Sequence, residues 1–167
     1  WSMDGERLWT VKTLGYPVCV DVREGKLAVG NDVRDGYYVA QLFDTTSGKL
    51  VLQRDLPDEM SSIAFATGTT VLLSGHGTRG ESIMIWDIVT NEVKTVSEFY
   101  HNQMALDRAQ PALVFVALED EHDKSAPNGT AVILRCPLDA LFSVSGEPKS
   151  KRALFKRVGE IKVSLRK

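Results

Sequence analysis

A repeat of about 43 residues is the feature that most constrains the fold of this chain. The pair Trp86-Asp87 follows an apolar run and precedes a turn, and Phe43-Asp44 stands 43 residues earlier in the same setting. The turns contain Thr90-Asn91 and Ser47-Gly48, and each turn leads into another strand-like run. Repeated units of this length stack on one another and bury a shared core, so the repeat predicts one extended domain.

The segments between these pairs predict strands as well. Residues 18–22, 61–65 and 103–107 form short apolar runs, and second runs follow at 26–30, 70–75 and 112–119. Such β-branched runs, separated by Gly, Asp, Asn and Ser, are typical of hairpins. The nearest helical period, around 138–142, is too short to change this prediction. Large aromatic side chains are expected to fill the space between sheets: Trp9, Phe43, Phe65, Trp86 and Phe115.

Four strands every 40–45 residues, with an aromatic–Asp pair closing the third, resemble the WD-repeat family of β-propellers. The resemblance covers most of residues 1–136, and it is clearest around Trp86-Asp87. It implies an all-β fold with about three four-stranded antiparallel blades and partial flanking strands. It also implies a buried hydrogen-bond network, of which Ser74 and Trp86 match two members, although Pro57-Asp58 stands where the family has Gly-His. The segment 4–9 is similar to the strand turn of quinoprotein-type propellers.

The repeat divides the chain into parts of one propeller domain. Residues 1–14 are expected to end a preceding blade, with its fourth strand at 8–14, and blades follow at 15–56 and 57–100. Residues 101–158 form a degenerate blade with a long loop, and residues 159–167 begin a further blade. Because a closed propeller needs about four blades or more, we expect a fragment of a longer polypeptide or an arc that a partner completes.

Charge and composition limit the classes of function. The net charge of −2 conceals a basic tail, because residues 149–167 carry +7 and the remainder carries −9. The body should repel nucleic acid, whereas the tail is either an edge strand protected by lysines or a contact for RNA or an acidic surface. No apolar run approaches the length of a membrane span, no signal peptide is recognisable, and there are two cysteines. An intracellular protein, cytoplasmic or nuclear and without a membrane partner, is therefore expected.

No sequence motif predicts catalysis, a metal site or a cofactor. Residues 75–80 read G-x-G-x-x-G, but strand sequence follows them, whereas phosphate binding requires a helix there. The acidic run 119–123 lacks the spacing of a cation loop, and neither Cys19 nor Cys136 belongs to a C-x-x-C pair. Both cysteines are therefore expected to be packing residues.

The loops between second and third strands are the predicted contact surface, since propeller blades present such loops on one face. The expected function is a protein-interaction scaffold or adaptor within a multi-subunit assembly, with a ligase-type substrate adaptor as one form. A propeller enzyme of the quinoprotein or hydrolase type and binding through the basic tail remain alternatives. The candidate partner-binding residues are Arg34, Asp35, His76, Arg79, Glu81, His101, Lys151, Arg152, Lys156 and Arg157.

Overall fold

The structure is a computed structural model that describes residues 9–77, 80–98, 103–118, 130–143 and 156–162. Within these ranges the strands form three antiparallel sheets of four strands each, and strands that are adjacent in the chain pair with one another. Sheet 1 contains β1 (Tyr16–Arg23), β2 (Lys26–Asp32), β3 (Tyr38–Asp44) and β4 (Leu50–Leu56). Sheet 2 contains β5 (Glu59–Phe65), β6 (Thr70–Gly77), β7 (Gly80–Asp87) and β8 (Glu92–Glu98). Sheet 3 contains β9 (Gln103–Asp107), β10 (Ala112–Leu118), β11 (Thr130–Pro137) and β12 (Lys156–Lys162), and helix α1 (Leu138–Phe142) follows β11.

The Asp of each aromatic–Asp pair closes a turn at the end of a third strand. Asp44 Oδ1 accepts hydrogen bonds from the backbone N–H of Thr46 (3.1 Å) and of Ser47 (2.7 Å). Asp87 Oδ1 accepts equivalent bonds from Val89 (2.8 Å) and Thr90 (3.2 Å). Asp side chains favour this local bonding to their own backbone, which reverses the chain. The repeated Asp is therefore explained by the turn chemistry that it supplies.

A two-residue turn joins β1 to β2. Arg23 pairs with Lys26 across it, and the two residues between them, Glu24 and Gly25, have φ of 49° and 74°. Two consecutive positive φ angles are the signature of the tight hairpin turns whose twist matches that of the strands. This turn fixes the register of β1 on β2, and through it the direction in which each β1 side chain points.

The sheets stack face to face, with sheet 2 in the middle. One apolar cluster joins sheet 1 to sheet 2 and includes Ala28, Ala40, Leu42, Phe65, Val71, Leu73, Met84 and Trp86. A second cluster joins sheet 2 to sheet 3 and includes Leu72, Ile83, Val96, Met104, Leu113, Leu134 and Cys136. Phe43, Phe65 and Trp86 are buried as predicted, Trp9 is half-buried, and the side chain of Phe115 lies outside the described residues. The predicted all-β fold of stacked four-stranded blades is confirmed.

The strand predicted at residues 8–14 is wrong for the residues that the structure describes, because 9–13 form no regular element. They lie instead against sheet 1. The Trp9 indole N–H donates to the backbone oxygen of Thr45 at 2.6 Å, and the backbone N–H of Leu14 donates to Gln41 Oε1 at 3.0 Å. These bonds to a sheet face replace the ladder that a strand would require.

The boundary predicted between residues 158 and 159 is also wrong, because β12 runs across it. Ala131 pairs with Ile161 and Thr130 pairs with Lys162, so this segment completes the outer edge of sheet 3 instead of starting another blade. The short helical period at 138–142 does form a helix. Its Leu138 and Leu141 are buried in the second cluster, and three-residue spacing places both on one helix face. No helix among the described residues is long and apolar enough to cross a membrane.

Trp86 is one of two residues that match the hydrogen-bond network implied by the WD-repeat resemblance, and its indole N–H donates to Asn91 Oδ1 at 3.0 Å. Asn91 has φ of 57°, a conformation that Asn tolerates better than most residues, and its Nδ2 donates to the backbone oxygen of Gln53 in sheet 1 at 3.2 Å. The turn after β7 thus fixes Trp86 and links sheets 1 and 2.

Candidate binding surfaces

The two ends of the stacked sheets present different chemistry. The backbone N–H of Phe65, at the end of β5, donates to Asp21 Oδ2 near the end of β1 at 2.7 Å, so the two first strands run side by side in the same direction. The β1–β2, β5–β6 and β9–β10 turns therefore meet at one end, here called the turn end. The loops between second and third strands lie at the opposite end, the loop end.

Arg34 and Asp35 lie at the loop end, as predicted, in the loop between β2 and β3. Both are exposed and both have positive φ, 89° for Arg34 and 55° for Asp35. Asp32 Oδ1 accepts the Arg34 backbone N–H at 3.0 Å, and the Arg34 guanidinium donates to the Tyr16 hydroxyl at 3.4 Å. The loop is therefore held by local bonds, and Arg34 extends it towards β1.

His76 lies at the same end, on the hairpin of β6 and β7. It is exposed and is paired in register with Glu81 on β7 and with Glu59 on β5. Gly77 pairs with Gly80, so the described residues of the G-x-G-x-x-G sequence lie at the ends of β6 and β7, and a strand follows them, as predicted. The side chain of Glu81, as well as Arg79 and His101, lies outside the described residues.

The basic tail contributes the outer strand of sheet 3. Lys156 is exposed at the start of β12, and Arg157 pairs with Leu134 on β11. The side chain of Arg157, together with Lys151 and Arg152, lies outside the described residues. Contact between this tail and a polyanion stays a prediction.

The turn end carries an ion-pair network that crosses all three sheets. Arg108, in the turn after β9, directs Nη2 to both carboxylate oxygens of Asp21, at 3.0 and 2.8 Å. The same carboxylate accepts the backbone N–H of Phe65. Arg23 donates Nη1 to the backbone oxygen of Ala66 at 2.9 Å. Charged side chains thus connect the inner strands where the apolar core ends.

A cavity of about 310 Å³ opens beside this network. Its charged lining consists of Arg23, Asp107 and Arg108, and its apolar lining includes Leu106, Pro111 and Leu138. A volume of this size is at the lower end of small-molecule sites. Sequence reasoning missed this site because its residues come from four separate segments and no spacing connects them.

Strand β1 exposes four apolar side chains, Tyr16, Val18, Val20 and Val22, which are 62, 49, 60 and 54% exposed. Val20 and Val22 pair with Val29 and Leu27 and form an apolar row, the β1 row, on the face of sheet 1 that points away from sheet 2, while Cys19, Asp21 and Arg23 point the other way. A β-bulge at Val18 shifts the register, so Tyr16 pairs with Asp32 and lies on the face towards sheet 2, as does Tyr38. The spacing of two between Val20 and Val22 could have indicated this row, since alternating apolar residues predict a face that needs a cover.

The rest of that face of sheet 1 lies beneath residues 9–14, and amide side chains on it are hydrogen-bonded to one another. Asn31 Nδ2 donates to Gln41 Oε1 at 3.2 Å, and Gln41 Nε2 donates to Gln53 Oε1 at 3.0 Å. Asn31 is fully buried, and its Oδ1 has no hydrogen-bond partner among the described residues. This chain of amides crosses three strands, and the backbone N–H of Leu14 joins it at Gln41 Oε1.

Neither cysteine has the character of a reactive thiol. Burial raises the pKa of Cys19 to about 11, and a backbone hydrogen bond from Gly30 opposes this only in part. Burial, followed by the charge of Asp139, raises the pKa of Cys136 to about 11. A thiol with so high a pKa is almost entirely protonated at neutral pH and is a poor nucleophile. Within the described ranges no group of three or more His, Cys, Asp or Glu residues could hold a metal ion.

Comparison with known proteins supports the architecture. No protein-family model matches the chain, and no curated protein matches it. The solved structures similar to it include the β-propeller domain of the Trilobed protease from Pyrococcus furiosus, with 8% identity, 91% of this chain and 45% of that chain covered, and a TM-score of 0.51. They also include the acylaminoacyl peptidase of Pyrococcus horikoshii, with 10% identity, 88% of this chain and 25% of that chain covered, and a TM-score of 0.53. The chain thus spans less than half the length of either structure, and its fold is that of β-propeller blades.

Proposed function

We propose that this chain is a protein-binding module of the propeller type, and that the β1 row, Val20 and Val22, is its main contact surface. The observation that carries the proposal is the exposure of these two side chains, 60 and 54%, at positions whose equivalents in β5, Ile63 and Phe65, are buried. An apolar row of this kind is typical of a surface that another protein covers.

The existing sheet contacts indicate what would fit on this row. Sheet 1 already covers β5 in sheet 2, where Ile63 and Phe65 occupy the positions that Val20 and Val22 hold in β1. The occupant of the β1 row is accordingly the apolar face of a β-sheet in a partner protein. Covering the exposed parts of the two Val side chains would contribute about 2 kcal/mol.

The predicted contact residue Arg34 lies apart from the β1 row, because its guanidinium donates to the hydroxyl of Tyr16, which lies on the face of sheet 1 towards sheet 2. Tyr and Arg are the residue types that contribute most at protein interfaces, in part because each combines an apolar body with hydrogen-bonding groups. We therefore propose Arg34 and Tyr16 as a second, smaller contact at the loop end.

The proposal is tested by site-specific crosslinking in cells. A photoreactive residue replaces Val20, and the control places the same residue at Val89, which is 74% exposed in the turn after β7. The expected result is a discrete crosslinked partner at position 20 and none at position 89. The partner is then purified and titrated with wild-type protein, Val22→Lys and Val89→Lys. Binding that Val22→Lys and Val89→Lys reduce equally, or a crosslink that forms equally at both positions, would contradict the proposal.

A second candidate function is that of a propeller domain attached to a peptidase, because both similar structures described above belong to peptidases. In this case the partner on the β1 row would be, or would adjoin, a hydrolase domain. The crosslinking experiment separates the two candidates. A captured hydrolase, whose complex with this chain cleaves N-acetylalanine 4-nitroanilide, supports the peptidase function, whereas a captured partner without hydrolase activity supports the adaptor function.

A further inference from the structure

The cavity at the turn end has both charged and apolar walls, and the three sheets build it together. Arg23 ends β1, Ala66 follows β5, and Leu106 and Asp107 end β9. Arg108 and Pro111 belong to the following turn, and Leu138 begins α1. The cavity depends on the tertiary structure, since no single sheet contributes more than part of its lining.

The two guanidinium groups in its lining are held in place and retain hydrogen-bonding capacity. Arg108 uses Nη2 for Asp21, and its Nε and Nη1 meet no acceptor in the part of the chain that the structure describes. Arg23 uses Nε for Glu24 Oε1 at 3.0 Å and Nη1 for backbone oxygens, and no described residue accepts from its Nη2. The remaining capacity is therefore entirely that of donors, so a matching ligand must supply acceptor oxygens.

The carboxylates nearby already have partners. Asp21 accepts from Arg108 and from the backbone of Phe65. Asp107 Oδ1 accepts the backbone N–H groups of Ala109 (3.0 Å) and Gln110 (3.1 Å), and Arg135 Nη2 is 3.9 Å from its Oδ2. Each of these acids faces a guanidinium, which reduces its repulsion of an anionic ligand.

We propose that this cavity binds a carboxylate that carries a short aliphatic group, as in the C-terminal residue of a peptide with a branched apolar side chain. The guanidinium groups of Arg23 and Arg108 bind the carboxylate oxygens, and Leu106, Pro111 and Leu138 contact the aliphatic part. Guanidinium is the side-chain group best shaped for carboxylate oxygens. The volume of about 310 Å³ restricts the occupant to a ligand of this size or to one end of a longer chain.

The test is a titration of the full chain, labelled with ¹⁵N, with N-acetyl-L-leucine, followed by nuclear magnetic resonance. The expected result is a set of shifted amide signals confined to Arg23, Leu106, Arg108 and Leu138 and their neighbours, with Kd on the order of 1 mM. N-acetyl-L-leucinamide, which lacks the carboxylate, is expected to bind about tenfold more weakly. Absence of shifts at the cavity, or equal binding of the acid and the amide, would overturn the proposal.

Three variants separate the cavity from general surface charge. Arg108→Gln is expected to weaken binding about tenfold, whereas Arg54→Gln, at an exposed position of β4 outside the cavity, leaves binding unchanged. Leu106→Trp fills the cavity while retaining both arginines, and it is expected to abolish the shifts. Thermal unfolding establishes that each variant is folded. Equal weakening by Arg108→Gln and Arg54→Gln, or unchanged binding to folded Leu106→Trp, would overturn the proposal.

A final arm distinguishes the source of the carboxylate. The peptide Ala-Ala-Ala-Leu with a free C-terminus is titrated beside N-acetyl-L-leucine. Tighter binding of the peptide indicates a peptide C-terminus, and equal or weaker binding indicates a small aliphatic acid. The site lies at the other end of β1 from Arg34 and shares no residue with the β1 row, so its failure leaves the proposed protein-binding function intact.

Discussion

Strands β1 and β5 occupy the same place in neighbouring sheets, but only β5 is covered on the face that points towards the preceding unit. Phe65 is 0% exposed and Ile63 is 7% exposed, whereas the equivalent Val22 and Val20 are more than half exposed. The amino-acid types on the two strands are similarly apolar at these positions. The comparison teaches that strand sequence sets which side chains share a face, and that the neighbouring sheet alone decides whether this face is buried.

The same sheets also differ in how their third strands are supported. Gln41 on β3 stands where Met84 stands on β7, and a chain of amides takes the place of an apolar contact. In sheet 2 the face around Met84 packs on sheet 1, whereas in sheet 1 the face around Gln41 lies under residues 9–14. Polar bonding to an irregular segment thus substitutes for packing against a sheet.

The largest effect that tests this comparison is a matched truncation on β5 and β1. Phe65→Ala is expected to lower the free energy of unfolding by about 3–5 kcal/mol, because the side chain is fully buried between sheets. Val22→Ala is expected to lower it by less than about 1 kcal/mol, because the side chain is exposed. Urea unfolding followed by tryptophan fluorescence measures both. Comparable losses would mean that the β1 row is covered in solution.

The next effect concerns Asp21, which stands on β1 where β5 has Ala64. Asp21→Ala removes the acceptor of the Phe65 backbone N–H and the partner of Arg108, and about 2–3 kcal/mol of stability should be lost. Arg108→Gln should cost less than about 1 kcal/mol, since the arginine side chain is 54% exposed and solvent screens the ion pair. Asp35→Ala, in the exposed loop, is the control. If Asp21→Ala and Asp35→Ala unfold at the same urea concentration, Asp21 does not join the sheets.

A smaller effect is expected when Gln41 on β3 is replaced by Met, the residue at the equivalent position of β7. Gln41→Met removes the acceptor of the Leu14 backbone N–H and one of the acceptors of Asn31 Nδ2, and the free energy of unfolding should fall by about 1–2 kcal/mol. Gln53→Leu removes only the acceptor of Gln41 Nε2 and should lower the free energy of unfolding by less. Both variants are compared by urea unfolding. A more stable Gln41→Met protein would show that residues 9–14 do not depend on the amides.

The smallest effect on stability at neutral pH is expected for Cys19 and Val20, which lie on opposite faces of β1. Because burial raises the pKa of Cys19 to about 11, iodoacetamide at pH 8 should modify it about tenfold or more slowly than the thiol of a Val20→Cys variant on the exposed face. Because burial raises its pKa, the folded state favours the neutral thiol of Cys19 over the thiolate. Stability is therefore unaffected below about pH 9 and falls as the pH rises towards about 11, where the unfolded chain ionises first. Equal modification rates at positions 19 and 20 would contradict the distinction between the faces.

Much of the fold could be predicted because it depends on local chemistry. The aromatic–Asp spacing correctly indicated the ends of β3 and β7, since Asp44 and Asp87 make their turns with residues two or three positions later. The prediction of a strand at 8–14 was wrong because a strand requires a partner, and the described residues of this segment bond to Thr45 and Gln41 instead. The family resemblance did not indicate Asn91, five residues later, as the acceptor of the Trp86 indole N–H.

The candidate sites were less predictable than the strands. Arg34, Asp35 and His76 were placed at the loop end correctly, because hairpin order alone determines which loops share an end. The network of Asp21, Arg23 and Arg108 was not predicted, because Asp21 and Arg108 are 87 residues apart and meet only when sheets 1 and 3 are both docked on sheet 2. The cavity beside them has the same origin.

By itself, the sequence determined the all-β class, the four-strand repeat and the turn residues, because alternation and turn chemistry act within a few positions of the chain. The tertiary structure alone decided which faces are buried, which charges pair and where a cavity remains. These properties depend on the distance between segments that are far apart in sequence, and an amino-acid pattern carries no measure of that distance until the sheets are stacked.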